Sequence, residues 1–120
     1  MKPKYATILI KRKRDSRASI SFRNTVFLTE VYLSNFKNQL FEILSTENTI
    51  LEIDMRGIRL IDNSIIDALN LNSRLGRHRN SRIILINVSR ELQELLNLIK
   101  IHSVLDIREI IPEKSTMKAA

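Results

Sequence analysis

Residues 50–69, ILEIDMRGIRLIDNSIIDAL, change their apolar period part-way along. From Thr49 to Met55 the apolar residues Ile50, Leu51, Ile53 and Met55 crowd a strand-length run, and Gly57 follows as a turn residue. Leu60 and Ile61 then lead into Asp62, Asn63 and Ser64, three consecutive residues of the types that cap helices. Beyond them Ile65, Ile66, Leu69 and Leu75 fall at helical spacing, and Gly76 is placed to end the helix. A strand, a short loop and a capped amphipathic helix make up two thirds of a β-α-β unit.

The remaining third lies just downstream. Ile83 to Ile86 is an uninterrupted apolar run, the pattern of a strand buried in a parallel sheet. Ser89 can cap a third helix carrying Leu92, Leu95, Leu96 and Ile99 on one face, and Val104 to Ile107 reads as a last short strand. Upstream, Tyr5 to Ile10 and Ala18 to Phe22 read as two strands of a hairpin, with the polar run Lys11 to Ser16 as its turn and Thr25 to Leu28 as a brief extension of the sheet. Leu33, Phe36, Leu40, Ile43 and Leu44 share a helical face, with Thr29 or Ser34 as the cap. The order β-β-α-β-α-β-α-β predicts an α/β fold: a mostly parallel mixed sheet of about five strands, covered by three or four helices. Residues 1–112 form one expected domain and 113–120, after Pro112, a tail.

Composition narrows the chemistry. The 120 residues include no Cys, which excludes disulfides, thiolate metal sites and a Cys nucleophile. His78 and His102 stand apart in sequence, so no metal site is expected, and with two glycines no glycine-rich phosphate loop is possible. No cofactor is expected. No apolar run reaches membrane-spanning length, and a cytoplasmic protein is the default expectation. The net charge of +7 is concentrated. Lys11, Arg12, Lys13, Arg14 and Arg17 form one basic run, and Arg74, Arg77 and Arg79 with Arg82 form another. Such runs mark either a solvated turn or a contact with nucleic acid or an anionic surface. Aromatic interleaving is thin, with Tyr5 and Phe22 alone near the first run.

The stretch at 50–69 resembles the signature of the STAS domain, the fold of anti-sigma factor antagonists. That pattern is an apolar strand ending in Asp, a small loop residue, then Asp-Ser-Ser/Thr-Gly opening a helix. Asp54, Gly57, Asp62 and Ser64 match it, and residues 82–98, RIILINVSRELQELLNL, match the following strand, short loop and apolar helix. The resemblance covers roughly residues 5–111. It implies a non-enzymatic interaction module whose partner, an anti-sigma factor or serine kinase, would contact Arg56, Gly57, Arg59, Asp62, Asn63, Ser64, Ile65 and Ile66. It also admits a second role known in the family, a subunit docked on the ATPase of a phospholipid-trafficking ABC transporter.

Departures from the pattern bear on the switch. Regulated members are phosphorylated on the first Ser, where this chain has Asn63, which lacks a hydroxyl. Either the chain is fixed in its binding-competent state, or Ser64 is the phosphorylated residue. Ile65 stands where the pattern has Gly, and Arg77 to Ser81 stand where it has a Gly pair. Asp54 and Asp62 lack a neighbouring His or metal-ligand cluster in sequence, so an acid/base pair is weakly supported, and Arg56 and Arg59 are expected to balance these acids.

Overall fold

The computed structural model describes residues 12–14, 16–98 and 106–107, the first and last of these segments by their backbone. Strand β1 (Arg12–Arg14) turns into β2 (Arg17–Ile20) as an antiparallel hairpin. A short strand β3 (Phe27–Leu28) leads through a 3-10 turn (Glu30–Tyr32) into helix α1 (Leu33–Leu44). Then come β4 (Ile50–Asp54), β5 (Leu60–Ile61), α2 (Asn63–Arg77), β6 (Arg82–Ile86), α3 (Arg90–Leu98) and β7 (Asp106–Ile107). The main sheet has the order β1-β2-β4-β6-β7, and every pairing after the hairpin is parallel.

The period-two pattern of β4 decides which side is filled. Leu51 and Ile53 are buried, and their register partners Ala18, Ile20, Ile83 and Leu85 join them on one face. Against that face α1 lays Phe36, Leu40, Ile43 and Leu44, and α2 lays Ile65, Ala68 and Leu69. Leu92 and Leu96 of α3 close the same cluster. Each Leu, Ile or Phe among them contributes about 1.5–3 kcal/mol on burial, which is why the helical stripes hold to their sheet.

Several expectations are corrected. The run expected as a turn carries a strand: β1 occupies Arg12–Arg14 and pairs antiparallel with β2. A basic outer strand has few strand-forming side chains, so propensity hides it. The expected strand at Tyr5 to Ile10 lies outside the described residues, as do Ile99, Lys11 and His102. Thr25 to Leu28 does not extend the main sheet; Phe27 and Leu28 pair instead with Leu60 and Ile61 in a separate two-stranded parallel sheet. Thr29 caps the 3-10 turn, and Ser34 sits inside α1.

Gly76 does not end α2, which runs on to Arg77, and Leu75 is exposed rather than part of the buried stripe. The left-handed residue falls at Asn80, φ +65°. Asn tolerates that conformation better than other residues with a side chain, so the reversal before β6 needs no glycine. Asn80 also donates from Nδ2 to Oδ1 of Asn48, itself left-handed at φ +57°.

Candidate functional site

The predicted site residues converge where β4 ends and α2 begins. Asp54, the last residue of β4, accepts through Oδ1 from the N–H of Arg56 at 3.0 Å and from Nδ2 of Asn87 at 2.9 Å. Its carboxylate thus shapes the turn in which Ile58 N–H donates to Met55 C=O, with Gly57 at φ +86° where only glycine is unstrained. The chain then rises past Val26 C=O, which accepts from the N–H of Arg59 at 2.8 Å, and forms β5 against β3.

Asp62 is the hub of the next step. Its Oδ1 accepts from the Ser64 hydroxyl at 2.7 Å and from the N–H of Ile65 at 3.4 Å, which caps α2. Its Oδ2 accepts from the N–H of Glu30 at 2.9 Å. One carboxylate therefore joins the approach to α1 with the start of α2. The Ser64 hydrogen bond above all holds the Asp62 carboxyl below the usual carboxylate range; desolvation acts upward, and the backbone N–H groups of Glu30, Ile65 and Ser64 act downward. Asp54 thus bonds within its own turn and to Asn87, while Asp62 caps α2 and reaches back to Glu30.

The arginines do not balance these acids as expected. Arg59 faces Glu91 at the start of α3, with Nε to Oε1 and one terminal nitrogen to Oε2 both at 3.3 Å. The hydrogen bond and the charge of Glu91 push the guanidinium pKa up, and both side chains remain exposed. Arg56 touches Asp54 through its backbone, and its side chain is exposed. Gly57 and Asn63 are exposed, Ser64 and Ile66 are half-buried, and Ile65 is fully buried. Ile65 is thus corrected from a partner-facing residue to a core residue: its position one turn into α2 points it at the sheet.

Sequence reasoning missed the apolar part of this surface. Phe27 and Leu60 are register partners across β3 and β5, 53% and 51% exposed, and with Arg59 and Glu91 they line a cleft of about 370 Å³. Asn87 and Glu91 were missed too. Asn87, left-handed at φ +57° just past an apolar strand, carried a local turn signal, but nothing near Glu91 in sequence points to Arg59.

The STAS domain family model matches residues 21–114. The chain belongs to the STAS domain family. Solved STAS-type structures agree in fold. An anti-sigma-factor antagonist (STAS) domain protein from Planctomyces limnophilus superposes with a TM-score of 0.74 at 18% identity, covering 92% of this chain and 97% of that one. A candidate anti-sigma factor antagonist from Thermotoga maritima gives 0.73 at 13%, covering 93% and 95%. The murine anion transporter Solute Carrier 26 family member A9 gives 0.57 at 14%, over 72% of this chain and 14% of that one. At these identities the likeness is one of fold. No curated protein matches the sequence.

Asn63 is the first residue of α2 and is exposed, whereas Ser64, half-buried, sits inside the capping network. The two basic runs lie elsewhere. Arg17 begins β2 beside Ile50, the first residue of β4, while Arg74 and Arg77 occupy the last turn of α2 and Arg79 follows it. Arg14, Arg17 and the second run are at the end of the domain opposite Asp62. Lys13 and Arg14 belong to β1, and Arg12 begins it.

Proposed function

We propose that this STAS domain is a non-enzymatic interaction module of the anti-sigma factor antagonist kind, acting in signalling in the bacterial cytoplasm. Its partner, an anti-sigma factor or a serine kinase of that type, would bind the surface made by Arg56, Gly57, Arg59, Leu60, Asn63 and Ile66, with Phe27 beside them. The observation that carries this reading is the exposed Phe27–Leu60 pair, ringed by the Arg59–Glu91 ion pair and adjoining the exposed start of α2. An apolar centre within a polar rim is the anatomy of a protein-binding patch.

Asn63 fixes the module in its binding-competent form. A phosphate brings about −1.5 to −2 charges, and Asn63 has no hydroxyl to receive one. Ser64 is a poor substitute, because its hydroxyl already donates to Asp62 and its side chain is half-buried. The same lack of a hydroxyl also fits docking on a transporter ATPase, where no phosphate switch is needed.

The test is affinity capture of the tagged full chain from lysate of its own cells, beside Leu60→Asp and Asn63→Asp. Recovery of an anti-sigma factor or its kinase by the wild type, lost with either variant, supports the reading. Recovery of a transporter ATPase instead moves the protein to the transport role, and recovery of nucleic acid alone overturns both.

A further inference from the structure

Two basic segments about sixty residues apart in sequence meet at one end of the domain. Backbone hydrogen bonds stitch them together: Ile50 N–H to Ser16 C=O at 2.8 Å, Arg82 N–H to Thr49 C=O at 2.9 Å, and Asn48 N–H to Arg79 C=O at 3.0 Å. The register then puts Arg14, Arg17, Ile50 and Arg82 in one row across β1, β2, β4 and β6. Register partners share a face, so Arg17, Ile50 and Arg82 lie on the face away from α1 and α2; neighbouring strands are about 4.8 Å apart, which sets Arg17 and Arg82 roughly 10 Å from each other. Arg74, Arg77, His78 and Arg79 add the exposed C-terminal turn of α2. Among the described residues the carboxylates at this end are fewer: Glu52, paired with Arg17 at 3.3 Å, and Glu42 and Glu47 near the end of α1.

This end also exposes apolar side chains. Phe41 and Leu75, 63% and 44% exposed, line a groove of about 200 Å³ between α1 and α2, with Arg79 on its lip. Leu71 is exposed one turn up the helix. Arginines next to unburied aromatic and aliphatic groups match a surface that is anionic outside and apolar just beneath. A single nucleic-acid strand would want several stacking aromatics, and among the described residues Phe41 is the exposed aromatic here. Duplex nucleic acid would use the arginines and leave Phe41 and Leu75 unused.

We propose that this end docks on an anionic lipid bilayer, with Arg17, Arg74, Arg79 and Arg82 over the headgroups and Phe41 and Leu75 dipping into the interface. Helix α2 has 15 residues, about 22 Å of rise, so a domain docked this way keeps the Asp62–Asn63 end clear of the membrane. The bilayer site is independent of which protein binds at that far end.

The test is co-sedimentation of the full chain with vesicles of phosphatidylcholine and phosphatidylglycerol, roughly 7:3, against phosphatidylcholine alone. The expected result is binding at least about tenfold stronger to the anionic vesicles, weakened by about tenfold when salt rises from about 0.1 to 0.5 M. Arg17→Gln/Arg74→Gln/Arg79→Gln should abolish it, and Phe41→Ser should weaken it at least about fivefold with an unchanged circular dichroism spectrum. Arg23→Gln, exposed beyond the far end of β2, should leave it unchanged. No preference for anionic vesicles overturns the proposal, as does an equal loss with Arg23→Gln, which would reduce the effect to net charge. If Phe41→Ser binds as well as wild type and duplex DNA competes fully, the arginines serve nucleic acid and the bilayer assignment falls.

Discussion

The carboxylate of Asp62 reaches the backbone N–H of Glu30 at 2.9 Å, across 32 residues of sequence, while its other oxygen caps α2. Asp62 is therefore both a helix cap and a clasp between the start of α2 and the turn that leads into α1. Asp62→Ala should lose about 1–2 kcal/mol in urea denaturation, the cost of a strong N-cap, and Asp62→Asn should recover most of it. Equal losses in the two variants would show that charge, not hydrogen bonding, is the main contribution.

The same residue sets an acid dependence. Its pKa is lower folded than unfolded, so the unfolded chain binds the extra proton and stability rises with pH through this window. The contribution is complete above the unfolded value near 4 and fades as pH falls through the lower folded value. Stability measured between about pH 5 and pH 2 should fall less steeply in Asp62→Asn than in wild type.

At the neighbouring position, Asn63→Asp separates folding from binding. Asp at the first position of α2 faces the positive end of the helix dipole, worth about 0.3–1 kcal/mol, offset in part by Asp62 beside it. The variant should melt close to wild type and still lose the partner captured by the wild type. A large drop in melting temperature would mean that Asn63 serves the fold.

Gly76 offers a stabilising substitution. A Cβ there would meet Ser81 C=O at 3.5 Å and Leu44 Cδ2 at 3.7 Å, ordinary contact distances, and the residue is helical. Gly76→Ala should gain about 0.5–1 kcal/mol in denaturant titration, because glycine costs a helix that much.

Asn80 should behave in the opposite sense. At φ +65° it accepts glycine readily, so Asn80→Gly should stay near wild type, less the hydrogen bond to Asn48. Asn80→Val should cost at least about 1–2 kcal/mol, the penalty of a left-handed branched residue.

These residues mark where sequence reading reached and where it stopped. The alternation of elements, a cap among Asp62, Asn63 and Ser64, and the cap at Ser89 were legible, since period and capping are local: Asp62 is the one that caps α2, and Ser89 Oγ accepts from the N–H of Leu92 at 3.1 Å. The β3–β5 pairing was not, because two residues are too few to show a period and their partner lies far along the chain. Arg59 illustrates the same limit at the site. Its neighbours Asp54 and Asp62 looked like its counterions, yet the fold delivers Glu91 from the start of α3. The convergence of the two basic runs likewise depends on register, which neither run encodes alone.

The small sheet of Phe27–Leu28 with Leu60–Ile61 has a kinetic corollary. It closes a loop of roughly thirty residues with a pairing only two residues long, so its closure entropy is repaid late, after the longer β4–β6 ladder has formed. Its amides should exchange with solvent deuterium well before those of Leu51, Ile53 and Leu85. The patch that we propose meets the partner would then be the last part of the domain to assemble and among the first to open. A partner that seats there would hold shut a region the isolated domain lets breathe.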